Sequence, residues 1–106
     1  MNFGLSNSQL DEIIKIISGF DEIESATLFG SRASGIHKEA SDVDIALKGK
    51  TVTVEIAIKI HSLLEETNIP FFFDVVNYHA IKKEELKSQI DRYGVQFYSN
   101  HEQLNR

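Results

Sequence analysis

Two short apolar runs in this chain carry acids where acids are least expected. Residues 42–47 read DVDIAL and residues 69–76 read IPFFFDVV. Both are too short for an ordinary helix and rich in β-branched or aromatic side chains, so they are read as strands. Side chains alternate along a strand. Asp42 and Asp44 therefore share one face with Ala46, and Val43, Ile45 and Leu47 take the other. The same alternation sets Phe72, Asp74 and Val76 opposite Phe71, Phe73 and Val75. If the two strands are neighbours, the sheet has a dry face that must be covered and an opposite face on which three carboxylates converge.

The remaining segments supply the cover. Leu10, Ile13, Ile14 and Ile17 recur at helical spacing, which predicts a helix over residues 8–18 with N-caps among Ser6 to Ser8 and a stop at Gly19. Residues 23–29 read as a strand running into Gly30-Ser31, and Pro70 is acceptable at the start of the 69–76 strand. Leu86, Ile90 and Tyr93 share a helical face ending at Gly94, and residues 95–98 alternate like a short edge strand. The tail NHEQLNR is expected to fray. Residues 51–67 fit two patterns. Val52, Val54, Ile56, Ile58 and Ile60 alternate, while Val52, Ile56, Ala57, Ile60, Leu63 and Leu64 form a helical stripe. Seventeen residues without Gly or Pro are long for a strand, so helix is the reading. The order predicts an α/β (α+β) layer fold, a small mixed sheet with helices packed on it.

Composition narrows the function classes. The chain has 106 residues, room for one domain over 1–106, and a net charge of −5. That charge argues against direct binding of duplex nucleic acid, which needs a basic face. With no cysteine there is no disulfide and no thiolate metal site. No leader-like segment and no bilayer-length apolar run is read, so no membrane partner is expected and the expected location is cytoplasmic.

Gly30 and Gly35 have the spacing of a phosphate-binding P-loop, but Ile36 and His37 stand where Lys and Ser/Thr are required. The dinucleotide-binding pattern fails too, because position 32 is Arg. Gly-Ser can still hold an anion, since Gly30 admits close backbone approach and Ser31 Oγ with the following amides can donate. In isolation the pair reads more readily as a turn with a serine cap.

The acids decide the matter. Three converging carboxylates repel, no Lys or Arg of these strands is read on their face, and protons or metal must neutralise them. An all-oxygen donor set suits Mg²⁺ or Mn²⁺, whose remaining ligands are waters and substrate phosphates. Any single D-x-D arises by chance, but Gly-Ser, ten residues and D-x-D together occur about once in a thousand random chains of this length.

With Gly30, Ser31, Asp42, Asp44 and Asp74 in place, the sequence resembles the minimal nucleotidyltransferases of the DNA polymerase beta-like superfamily. LFGSRASG and SDVDIAL look typical of their motif, and the resemblance spans residue 8 to about residue 98. It implies a polymerase beta palm-like fold and favours a helix at 51–67. It implies Mg²⁺-dependent transfer of a nucleoside monophosphate, AMP from ATP, to an acceptor hydroxyl with release of pyrophosphate. Asp42, Asp44 and Asp74 would bind metal, with Asp74 on the acceptor side and available as general base. Gly30 and Ser31 would hold the β- and γ-phosphates. Arg32 is read either as a further phosphate contact or as an exposed structural residue. His37, His61, His79 and His101 are scattered and read as bystanders.

Only 32 residues follow Asp74, so no acceptor-binding domain is expected. Small proteins of this type resemble the antitoxin half of two-gene toxin–antitoxin modules, whose partner is an all-helical HEPN toxin offering a tyrosine hydroxyl. The alternative is a non-catalytic subunit that binds nucleotide, or neutralises its partner by binding alone. On the 51–67 helix, Val54, Ile58 and His61 form a second stripe, roughly 100–160° from the core stripe at ~100° per residue. Either another element such as the first helix covers it, or a partner does.

Overall fold

A computed structural model of the chain describes residues 3–34 and 42–100. The polar loop at 35–41 with His37, and the tail from His101 on, lie outside the described residues. Helix α1 (Asn7–Ser18) opens on a capping box: Ser6 Oγ accepts from the Gln9 amide at 3.1 Å, and Gln9 Oε1 accepts from the Ser6 amide at 2.9 Å. It stops at Gly19, as expected. Then follow β1 (Ser25–Phe29), the single turn α2 (Ser31–Ser34), β2 (Val43–Lys48), α3 (Val54–Glu65), β3 (Phe73–Asn77), α4 (Glu84–Tyr93) and β4 (Val95–Ser99). A 3-10 turn, Tyr78–Ala80, links β3 to α4.

The four strands form one mixed sheet in the order β3-β2-β1-β4. β1 runs antiparallel to both β2 and β4, while β2 and β3 are parallel and are joined through α3. Parallel neighbours need such a crossover. This is the expected α/β layer, and both site-bearing strands lie side by side within it.

The dry face forms as read. Val43, Ile45 and Leu47 are at 0% exposure and pack with Ile13 and Ile17 of α1 and Ala57, Ile60 and Leu64 of α3. α3 settles the ambiguous segment. Thr53 Oγ1 accepts from the Ile56 amide at 3.2 Å, and the helical stripe, not the alternating one, goes inward. The opposite face is half covered: Phe29 and Ala46 pack against Ile90 of α4.

Three expectations change. The third strand starts at Phe73, not residue 69: Pro70 has no amide to donate to a ladder, and the pairing with β2 begins only at Val43 and Phe73. Contact with β2 begins one residue earlier, where the Val43 amide donates to the Phe72 carbonyl at 2.9 Å. The first strand likewise starts at Ser25, although Ile23 is buried. Tyr93 does not join Leu86 and Ile90 against the sheet; it is 57% exposed at the end of α4, where the chain turns through Gly94 into β4.

Candidate active site

The sheet register assembles the motif. Asp44 of β2 lies opposite Phe29 of β1 on one side and level with Asp74 of β3 on the other. Adjacent strands are about 4.8 Å apart, and residues in register point to the same face, so Asp44 and Asp74 are lateral neighbours. Asp42 is two residues up the chain, on the same face and exposed. The register thus brings Asp44 and Asp74 together as predicted, and Asp42 stands near enough for its charge to act on the Asp44 carboxyl.

Gly30 follows Phe29 with φ +77°, in the left-handed region that only glycine occupies freely. A Cβ there would run into the Asp44 carboxylate. Two requirements, backbone conformation and close approach, thus fix the same residue. Ser31 begins α2 beside it.

The electrostatics show strain. Burial, then the neighbouring charges of Asp74 and Asp42, push the Asp44 carboxyl up from 3.8 to about 6, and Arg32 offsets part of this. A carboxylate held in a half-dry place by two like charges is a group that a cation would stabilise. Among the described residues no three acids or histidines stand ready to enclose an ion by themselves. Magnesium is commonly held by one or two carboxylates, with substrate phosphates and waters completing its shell. The all-oxygen donor set at Asp42, Asp44 and Asp74 fits that chemistry.

Two cations sit differently from what the sequence predicts. Lys48 does stand on the acidic face, but at the far end of β2, with Nζ 4.4 Å from the centre of the Tyr78 ring. Arg32 is not exposed: only 1% of it is accessible. Its Nη1 donates to the Phe3 carbonyl at 2.9 Å and its Nε to the Asp42 carbonyl at 3.3 Å. Its guanidinium lies 4.3 Å from the Phe71 ring centre. Sequence reasoning missed Phe3 and Phe71 as supports of the site. Phe71 carried a signal, an aromatic three residues before Asp74; Phe3 carried none, since its contribution is a backbone carbonyl. His61 pairs with Glu65 at 3.3 Å on α3, and His79 meets the Tyr78 ring edge to face.

A family model described as polymerase beta nucleotidyltransferase matches residues 11–103. The chain belongs to that family. No curated protein matches the sequence. Among solved structures, a toxin–antitoxin complex with AMP-PNP is 22% identical at a TM-score of 0.72, over 89% of this chain and 76% of that one. A tri-AMPylated HEPN toxin of Shewanella oneidensis in complex with MNT antitoxin is 19% identical at a TM-score of 0.66, over 92% and 76%. The MntA–HepT toxin–antitoxin pair gives 22% identity and a TM-score of 0.61, over 92% and 76%. At these identities the likeness establishes a shared fold, and the family itself rests on the match over residues 11–103.

Proposed function

We propose that this nucleotidyltransferase-family chain is a one-domain enzyme that transfers AMP from ATP to a tyrosine hydroxyl of a HEPN-type helical partner, and that it acts in the cytoplasm as that partner's antitoxin. The observation that carries the reading is the register of Asp44 with Asp74, reinforced by Asp42 on the same face. The solved relatives named with AMP-PNP and with an AMPylated HEPN toxin support the choice of nucleotide and partner.

In this reading the acceptor oxygen attacks the α-phosphorus, the bond to the β-phosphate breaks, and pyrophosphate leaves. Mg²⁺ or Mn²⁺ held by Asp42, Asp44 and Asp74 would supply charge for the triphosphate and the transition state. Gly30, which has no Cβ to fill the space beside Asp44, and Ser31 hold the β- and γ-phosphates. Asp74, the exposed member on the outer strand, faces the acceptor and takes its proton.

The acceptor arrives on a partner. Val54 and Ile58 are 59% and 61% exposed, so α1 does not cover the second stripe of α3. They line a cavity of about 430 Å³ with Ala57, His61, Val75 and Val76. This groove begins one residue past Asp74 on β3, and its apolar lining suits a helix face rather than a triphosphate. Among the described residues no helix is long and apolar enough to cross a membrane.

The test is incubation with ATP labelled at the α- or γ-phosphate, Mg²⁺ and the product of the adjacent gene. The proposal expects α-label on the partner and none from γ-label. Transfer of γ-label would make the reaction a kinase. Tight partner binding with no transfer would leave the non-catalytic alternative, an interaction subunit with an idle site.

A further inference from the structure

We propose that Arg32 is the positioning residue of this site, and that the N-terminal arm, residues 3–5, is part of its support. The inference rests on the metal-and-nucleotide reading above and replaces a phosphate contact for Arg32 with an internal role.

An arginine at 1% exposure is unusual and is retained only where its charge and donors are matched. Here the side chain ties four segments together. It rises from α2, directly after Gly30-Ser31. Its Nε holds the carbonyl of Asp42, the residue that leads into β2. Its planar face lies on Phe71, which leads into β3 and Asp74. Its Nη1 holds the carbonyl of Phe3. Every segment that delivers a site residue is thus pinned to one guanidinium.

The arm is shaped for this contact. Phe3 has φ +56° and Gly4 φ +79°, and a left-handed phenylalanine is costly enough to need a reason. Phe3 and Leu5 are buried at 8% and 1% exposure and hold the turn in place. Charge adds to geometry: Arg32 is a fixed cation beside Asp42 and Asp44, in a chain whose net charge is −5. Lysine does not replace such a residue, because two directional bonds from a stacked plane need the guanidinium fork.

The experiment compares wild type, Arg32→Lys, Arg32→Gln and a deletion of residues 2–4 in three measurements. Mn²⁺ affinity is read without nucleotide, ATP affinity with Mn²⁺, and amide hydrogen exchange at Val43 and Ile45 without metal. The Val43 amide bonds to the Phe72 carbonyl, so it reports whether the start of β2 stays on β3. Loss of outer-sphere support typically weakens a metal by about 10–100-fold, and that loss is expected in both Arg32 variants and in the deletion. Val43 exchange should accelerate about tenfold, the worth of one charge-assisted hydrogen bond, with Ile45 unchanged.

If Arg32→Lys keeps wild-type Mn²⁺ and ATP affinity while Arg32→Gln weakens ATP alone, Arg32 is a phosphate contact and the proposal is overturned. A lower melting temperature with unchanged Mn²⁺ affinity and Val43 exchange makes it merely structural, which overturns it equally. A deletion that leaves both measurements at wild-type values removes the arm from the site. If wild type binds no Mn²⁺ but Val43 exchange responds as expected, the positioning role stands and the metal reading falls.

Discussion

Asp44→Asn should make the metal-free protein more stable, and by an amount that depends on pH. The Asp44 carboxyl sits at about 6 in the fold against 3.8 as an ordinary carboxyl, raised by burial first and then by Asp74 and Asp42. Below pH 3.8 it is protonated in both folded and unfolded chains and contributes nothing. As pH rises the unfolded chain ionises first, so the folded state loses ground through the window from 3.8 to 6 and stays penalised above it. A pKa difference of this size corresponds to at most about 3 kcal/mol. Asp44 is half-buried rather than enclosed, and solvent screening reduces the figure to about 1–2 kcal/mol. Asparagine is neutral throughout, so the variant should match wild type near pH 3.5 and exceed it by that amount from pH 7 upward. For a domain of this size the gain is roughly 5–10 °C in Tm. Thermal or urea unfolding of both proteins from pH 3.5 to 8 in EDTA measures it. An offset that is flat in pH, or a variant less stable than wild type at pH 7, refutes the reasoning that Asp44 is held ionised against its surroundings. Added Mn²⁺ should then stabilise wild type and leave the variant unchanged.

Asp74→Asn should lower turnover by about 10²-fold or more while ATP affinity stays within a few-fold, as expected of an acceptor-side base; parallel loss of ATP affinity in calorimetry would move Asp74 to the triphosphate side. Gly30→Ala forces a Cβ into the Asp44 carboxylate at φ +77°, and should cost about 1–3 kcal/mol in urea unfolding and abolish Mg²⁺-dependent ATP binding. Val54→Lys with Ile58→Glu should leave folding and ATP binding near wild type but stop co-purification with the adjacent gene product. Unfolding of that double variant would mean the stripe is core.

Most of the architecture was legible because burial here follows period. Val43, Ile45 and Leu47 had to go one way and Asp42 and Asp44 the other, and a single alternation determined both the core face and the acidic face. α3 was legible for the complementary reason. A chain can satisfy only one of two periods, and the helical one buried Ala57, Ile60 and Leu64 where the alternating one would have buried Val54 and Ile58. What the sequence hid is what does not repeat. The start of β3 was one such feature, because the alternation of IPFFFDVV does not tell where pairing with a neighbour begins. Tyr93 looked like a third member of an apolar face, but helical spacing does not say where the covered surface ends. Arg32 was hidden most deeply, since its partners among the described residues include two backbone carbonyls and an aromatic face from three distant segments, none of which leaves a side-chain pattern near it.

The acids also help to determine the fold that carries them. Strand register is exposed to one-residue slips, and a slip of β2 would exchange its faces completely. Asp42 and Asp44 would then enter the layer now filled by Val43, Ile45 and Leu47 under α1 and α3, and an unpaired carboxylate there costs several kcal/mol or forces protonation. Val43, Ile45 and Leu47 would lose their cover in the same move. On the native register the unfavourable interactions are confined to one end of one face, where Gly30 leaves room beside Asp44 and Arg32 lies close behind Asp42. The other half of that face is closed by Phe29, Ala46 and Ile90. Neutralising Asp44 therefore should do two opposite things: raise the stability of the native register, and reduce the penalty on the slipped one. Asp44→Asn tests the first directly. Whether the variant keeps native exchange protection at Val43 tests the second, because its amide bonds to the Phe72 carbonyl in the native register and a slipped strand would break that bond.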